Sequence, residues 1–302
     1  MAAKRDSWRR KSVHALEAAA AGVFYWSFWL LPVDAASGLG GWIGRTIGPR
    51  LRASARAERN LTRAFPEMTA AEIAPIVCGM WENLGRTAGE YPHLGKFKIS
   101  KPGGPADPRI EIAGGEHIEH VRAGGKAAIF VSGHFANWEL PAISISQHDV
   151  PLDIVYREAS NKLTGWLYRR RDANVSGNLI PKGAAGARQM LKSLQAGRHL
   201  GIMADQKMND GIAVPFFGRD AMTAPALAQL ALKYDCPVVP VRIERTKGAR
   251  FRVSFLAPIE FAPTGERNHD TLAFMTKINE QLETWIRNNP AQWLWLHNRW
   301  PD

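Results

Sequence analysis

The stretch Ala127-Ala128-Ile129-Phe130-Val131-Ser132-Gly133-His134-Phe135-Ala136-Asn137-Trp138-Glu139 decides the fold. Its apolar first part reads as a buried strand of a parallel sheet, because a strand covered on both faces shows no polar alternation. The strand ends near Gly133, and a histidine and a carboxylate follow with four residues between them. Open α/β sheets place their chemistry at the carboxyl ends of strands, which is where His134 and Glu139 fall. An imidazole oriented by a carboxylate is a general-base pair able to take a proton from an alcohol. The same residues read equally as a strand-end histidine capped by a helix-start glutamate, with no chemistry at all.

Outward from this strand, strand-like runs alternate with helical ones. Strands are predicted at 110–113, 127–131, 152–156, 200–203, 238–243 and 251–255, and helices near 138–147, 161–171, 184–195, 225–234 and 270–287. Gly197, just beyond the third of these helices, is a plausible C-cap. Such alternation implies an α/β fold, a mainly parallel sheet covered by helices on both faces. Ahead of it, residues 53–94 read as two or three helices, one of them opening on the capping box Thr69-Ala70-Ala71-Glu72. The run Lys101-Pro102-Gly103-Gly104-Pro105-Ala106-Asp107-Pro108 is dense in breakers and reads as a linker. The organisation expected is a basic segment and hydrophobic membrane anchor over 1–35, a helical N-terminal portion with its linker over 36–108, and an α/β core over 109–302.

Composition narrows the partners. A surplus of 39 Lys and Arg over 28 Asp and Glu gives a net charge of +11, which favours polyanions, either nucleic acid or an anionic membrane face. Eleven tryptophans tilt the choice to the membrane, since indole rings prefer the bilayer interface. No zinc spacing, helix-turn-helix signal or aromatic RNA-binding signature accompanies the charge, so nucleic acid is not expected. The two cysteines, Cys78 and Cys236, form neither a disulfide framework nor a metal-ligand spacing, which fits a reducing compartment. No metal and no cofactor are expected.

The N-terminus bears on location. Lys4, Arg5, Arg9, Arg10 and Lys11 precede an uncharged run from Ala18 to Leu31 rich in aromatic residues. That run makes only ~21 Å of helix against a hydrocarbon core of ~30 Å. Arg45, Arg50, Arg52, Arg56 and Arg59 follow it, and positive charge on both sides suits a helix lying in the cytoplasmic leaflet. The rival readings are a cleaved signal peptide ending at Val33-Asp34-Ala35, whose acidic residue fits a cleavage site poorly, and a plain core helix.

His134 and Glu139, with Phe-Ala-Asn-Trp between them, resemble the His-x4-Glu motif of the lipid A biosynthesis (late) acyltransferases, the lauroyl and myristoyl transferases related to the glycerolipid acyltransferases. The resemblance runs from about residue 20 to the end, through Asn83-Leu84-Gly85-Arg86, Glu90-Tyr91-Pro92-His93-Leu94, Tyr156-Arg157, Asp205-Gln206-Lys207, Val214-Pro215-Phe216-Phe217-Gly218 and Gln292-Trp293-Leu294-Trp295-Leu296-His297. It implies a glycerolipid-acyltransferase-like fold. It also implies transfer of a fatty acyl chain from acyl carrier protein to a hydroxyl of a lipid A precursor at the cytoplasmic face of the inner membrane. Other readings are acyl transfer to a glycerolipid, an ornithine lipid or a phosphoinositol mannoside, and a non-catalytic protein binding anionic lipid.

Within this frame His134 is the expected base, and Glu139 is expected to hold its ring and stabilise the imidazolium. No Ser elbow and no cysteine lie in the motif, which favours direct transfer over an acyl-enzyme. Arg157, Asn161 and Arg169-Arg170-Arg171 form a second constellation suited to phosphate, because a guanidinium fork binds phosphate bidentately. The resemblance gives one arginine of the triplet an active-site role, and the spacing fits Arg171 best, with Arg170 and Arg169 close behind. Three consecutive arginines at a helix end also read as a solvated face. Asp205, Gln206 and Lys207 follow another predicted strand, where Asp205 suits orienting His134 or binding a substrate hydroxyl, and Gln206 and Lys207 suit holding the acceptor. Phe217 and Thr223 match a block expected to line the acyl or acceptor cleft, the alternative being a hydrophobic loop packed on the sheet. Of the aromatic C-terminus, some of Trp285, Trp293, Trp295 and Trp300 are expected in the core and any exposed ring at the lipid headgroups.

Overall fold

The computed structural model describes residues 2–101, 103–156, 161–181 and 183–300. In chain order its elements are α1 (Ala2–Trp29), α2 (Val33–Ile47), α3 (Ser54–Ala64), α4 (Ala70–Glu90), β1 (Ile110–Ala113), α5 (Gly115–Ala123), β2 (Ile129–Ser132), α6 (Leu140–Gln147) and β3 (Leu152–Tyr156). There follow α7 (Gly165–Asp172), β4 (Leu179–Pro181), α8 (Ala184–Gln195), β5 (His199–Met203), β6 (Ile212–Phe216), β7 (Arg219–Thr223), α9 (Ala226–Tyr234), β8 (Val238–Lys247), β9 (Arg250–Phe255) and α10 (Arg267–Asn288).

Seven strands form one sheet in the order β1-β9-β8-β2-β5-β3-β4, parallel at every pairing except β8 with β9. The quoted strand, β2, is therefore central, and all four of its residues are buried. Alternation sends its side chains to opposite faces. Phe130 meets Phe255, which in turn meets His148 at the end of α6, whereas Val131 lines a narrow apolar cleft with Ile278, Leu282 and Trp285 of α10. Helices thus cover both faces.

Three features of the core lie outside the predicted set. The helix α5 is short, with Ile118 and Val121 as its buried stripe, and β4 is a three-residue edge strand closed by Pro181. The third is the β6–β7 hairpin, whose two-residue turn places both Phe217 and Gly218 at positive φ. That is the turn a right-handed strand twist requires, and Phe-Gly is not among its usual sequences. The predicted helix from 161 begins instead as a 3-10 turn at Lys162–Thr164, with Asn161 as its cap. Gly197 has φ +72° just past α8, as its C-cap role demands.

The N-terminal helices pack on one another and on the core. Thr69 and Glu72 form the reciprocal capping box at the start of α4. The segment boundary read at residue 35 falls inside α2, which begins at Val33. Along the α2–α4 crossing, Gly40 faces Gly85: a Cβ on Gly85 would stand 2.1 Å from the Gly40 carbonyl oxygen, and one on Gly40 2.3 Å from that of Gly85. The two backbones touch because neither carries a side chain there. No helix among the described residues is long and apolar enough to cross a membrane.

Gly85→Ala is expected to lower stability by about 1–3 kcal/mol, the usual cost of overpacking. Gly38→Ala, on the same helix as Gly40 but with open space at its Cβ, is expected to lose nothing. Equal denaturant midpoints for the two variants contradict the glycine-to-glycine contact.

Candidate active site

The register of two neighbouring strands builds the site. Ser132 of β2 pairs with Met203 of β5, and the pairing runs on as the Ala204 N–H donates to the Ser132 carbonyl at 2.9 Å. Two residues past each strand end, His134 and Asp205 lie side by side. The His134 backbone N–H donates to Asp205 Oδ2 at 2.7 Å, and its ring Nδ1–H donates to Oδ1 at 2.8 Å. Trp293 Nε1–H supplies a third donor to Oδ2 at 2.8 Å. Gly133 permits this approach, since a Cβ there would stand 3.1 Å from Asp205 Oδ2 and 2.8 Å from the Phe135 ring.

Asp205 is fully buried. Burial alone would raise its pKa, but the His134 charge and the hydrogen bonds from His134 hold it below the ordinary carboxylate range. An ionised carboxylate only accepts, so Nδ1 carries a ring proton, and in the neutral ring Nε2 presents the lone pair. The Gln206 amide nitrogen lies 3.2 Å from that Nε2 and 3.2 Å from Nε2 of His297, bridging the two histidines. Trp138 packs 5.4 Å and His297 5.1 Å from the His134 ring, centroid to centroid.

The ring-holding hydrogen bond expected of Glu139 is thus made by Asp205. Glu139 instead has Arg171 at 3.8 Å. Burial pushes its carboxyl above the usual range against the pull of Arg171 and His134. Of the arginine triplet, Arg171 is the one that reaches the motif, paired also with Asp172 at 2.8 Å. Arg170 turns away and stacks over Tyr25 and Trp26 of α1, and Arg169 is exposed. Asn161 caps the 3-10 turn through the Leu163 N–H and donates to the His14 carbonyl and the Glu17 carboxylate, tying this segment to α1. Lys207 is half-buried next to Gln206. Arg157 lies outside the described residues.

Two further positions sit in the interior. Thr223 is buried, its hydroxyl donating to the Ala221 carbonyl and accepting from Arg299 at 2.8 Å. Arg299 is itself fully buried over the Phe216 ring, where burial pulls its pKa down to about 10. Phe217 packs among Phe65, Trp295 and Trp300 with the Arg287 guanidinium over its face. Trp285, Trp293, Trp295 and Trp300 are all buried, so no C-terminal indole is available for the headgroups.

His297 and Trp293 reach the site from the far end of the chain and were not among the residues singled out for it. Their only signal was the matched C-terminal block. That block lies against the motif loop, as Phe135 bridges Trp293 and the Leu294 N–H donates to the His134 carbonyl at 3.1 Å. Asn60 of α3 donates to the Trp295 and His297 carbonyls and fixes it from behind.

Fold and site together define an α/β protein with a histidine–carboxylate pair at the carboxyl ends of its central parallel strands. The chain belongs to the bacterial lipid A biosynthesis acyltransferases, a family that matches it over residues 6–302. It is an acyltransferase. It is 28% identical over 295 residues to the lipid A biosynthesis lauroyltransferase of Escherichia coli (strain K12), with 91% of each chain covered. The lipid A biosynthesis myristoyltransferase of the same organism is 24% identical over 291 residues, covering 90% of this chain and 86% of the relative. A lipid A biosynthesis acyltransferase of Haemophilus influenzae is 24% identical over 292 residues, again with 90% and 86% covered.

Asp205→Asn is expected to reverse the His134 tautomer, because an amide donates to Nδ1 where a carboxylate accepts. Imidazole 15N shifts read this directly. An unchanged Nδ1–H form in the variant contradicts the assignment of Asp205 as the group that sets it.

Proposed function

We propose that the protein transfers a fatty acyl chain from acyl carrier protein to a hydroxyl of a lipid A precursor, working at the cytoplasmic face of the inner membrane. The observation that carries this reading is the His134 imidazole, its Nδ1 on a buried carboxylate and its Nε2 turned to Gln206. The acceptor hydroxyl takes the place of the Gln206 amide at Nε2. His134 removes its proton as the oxygen attacks the thioester carbonyl. Collapse of the tetrahedral intermediate breaks the C–S bond, and the imidazolium returns the proton to the departing sulfur. Ester and free carrier thiol are the products.

Asp205 stabilises the imidazolium by direct contact. Glu139 adds its field through the same buried region, and Arg171 beside it offers positive charge to the developing oxyanion or to a substrate phosphate. Gln206 and Lys207 hold the acceptor, and Asn161, Arg170 and Arg157 take part in substrate binding. Acidic acyl carrier protein suits the basic surface of a chain carrying +11.

Membrane seating is supported by the exposed apolar side chains of the first two helices and the turn that joins them. Leu30 is 76% and Trp42 60% exposed, and Trp26, Trp29 and Ile47 are also exposed. Exposed Arg45 at the end of α2, and exposed Arg50, Arg52, Arg56 and Arg59 in the segment after it, supply the positive charge that suits an anionic leaflet.

The test is a purified-enzyme assay with acyl carrier proteins loaded with different chain lengths, a lipid A precursor, and product analysis by mass spectrometry. His134→Ala and Glu139→Ala are expected to lose about 10²–10⁴-fold in turnover while keeping membrane association. Wild-type rates in both variants refute the base assignment. Acylation of a glycerolipid, an ornithine lipid or a phosphoinositol mannoside in place of the lipid A precursor refutes the acceptor. Trp42→Ser is expected to weaken co-sedimentation with anionic vesicles, and unchanged binding counts against the seat.

A further inference from the structure

Between His134 and Glu139 the chain passes through a conformation that L side chains rarely adopt: Ala136 has φ +43° and is fully buried. Such a residue persists only where its surroundings over-determine it. Its N–H donates to the Gln292 carbonyl at 2.8 Å. Its carbonyl accepts from Asn83 Nδ2 at 3.1 Å and from the Thr87 hydroxyl at 2.9 Å. The next residue, Asn137, donates its amide to Glu90 Oε2 at 2.9 Å, while its Oδ1 accepts the Glu139 N–H at 3.3 Å. Asn83, Thr87 and Glu90 stand at helical spacing on one face of α4.

One guanidinium aims all three. Arg245 of β8 donates from Nε to Asn83 Oδ1 at 3.0 Å, from Nη2 to the Thr87 hydroxyl at 3.3 Å and to Glu90 Oε2 at 3.2 Å, and from Nη1 to Glu90 Oε1. Gln292 is held by the same residue, since its side-chain amide exchanges two hydrogen bonds, of 2.8 and 2.9 Å, with the Arg245 backbone. The groups that reach Ala136 and the Asn137 amide from outside the loop, Gln292, Asn83, Thr87 and Glu90, are therefore all bonded by Arg245 itself. By accepting from Arg245, the Thr87 oxygen is left to point its proton at the Ala136 carbonyl.

We infer that Arg245, with Glu90 and Thr87, is a positioning device that sets the distance between His134 and Glu139 by clamping the loop joining them. This rests on the acyl-transfer reading of the site. The clamp touches no substrate. Its contribution is to hold the base and the Glu139–Arg171 pair at the spacing the reaction needs, where an error of about 1 Å costs about 10²-fold in rate.

The experiment compares Thr87→Val, Thr87→Ser and Arg245→Lys with wild type and with His134→Ala, measuring kcat and KM for acyl donor and acceptor, and the melting temperature of each. Valine keeps the shape of threonine and loses the hydroxyl, whereas serine keeps the hydroxyl and loses a methyl. If the hydroxyl positions the loop, kcat falls about tenfold or more in Thr87→Val with KM unchanged, and Thr87→Ser retains most of it. Arg245→Lys, which keeps the charge but not the fork, falls further, again in kcat. A merely structural role gives the opposite order, Ser below Val, with activity following melting temperature. That order, or an unchanged kcat in Thr87→Val, overturns the inference. Should Arg245→Lys not fold, the threonine pair alone decides. If His134→Ala also turns over like wild type, the acyl-transfer reading fails first, and that result is separable from failure of the clamp.

Discussion

A buried carboxylate keeps its charge only where hydrogen bonds replace the water it has lost, and Asp205 meets that demand beside the central strands. Its partners come from three places: the His134 backbone, the His134 ring and the Trp293 indole. Satisfying them requires β2 and β5 to be adjacent and parallel, in the register that brings Ser132 opposite Met203. It also requires the C-terminal block to return across the sheet mouth and lie on the motif loop. The site is assembled by the same hydrogen bonds that keep this charge stable out of water.

The two acidic residues of the site are in different environments and hold their protons differently. Asp205 is kept ionised by direct hydrogen bonds from an imidazole, while burial raises Glu139 and only a longer contact with Arg171 opposes it. Environments that drive two carboxyl groups apart in pKa are how one site separates their roles. Here the histidine is oriented by the carboxylate from a neighbouring strand, and the carboxylate nearer in sequence faces an arginine on α7. The helices ahead of the sheet are part of this arrangement, because α4 presents its polar face to the Ala136 carbonyl and α3 anchors the C-terminal block.

Much of this was readable residue by residue. Of the six strands predicted, β2 announced itself as an apolar run because buried parallel strands are locally apolar, and β1 and β9 by their alternation. The hairpin β6–β7 did not, since Pro215 and a Phe-Gly turn argue against a strand pair when taken alone. Thr223 and Phe217 resembled cleft residues in the sequence, yet one serves a buried guanidinium and the other an aromatic cluster. Arg245 gave no sign at all. It is one of four charged residues in its strand, and its partners on α4 lie more than a hundred residues away.

The sequence by itself determined where β1, β2, β3, β5, β8 and β9 lie, that a histidine and two carboxylates follow strand ends, and that the chain is basic and rich in tryptophan. These follow from local composition, because burial and charge are properties of each segment. Only the tertiary structure decided which carboxylate holds the histidine, which arginine of three reaches the motif, and what keeps Ala136 in its left-handed conformation. Those answers depend on sheet order and strand register, and register is fixed by the packing of the whole core against water, which no segment carries within itself.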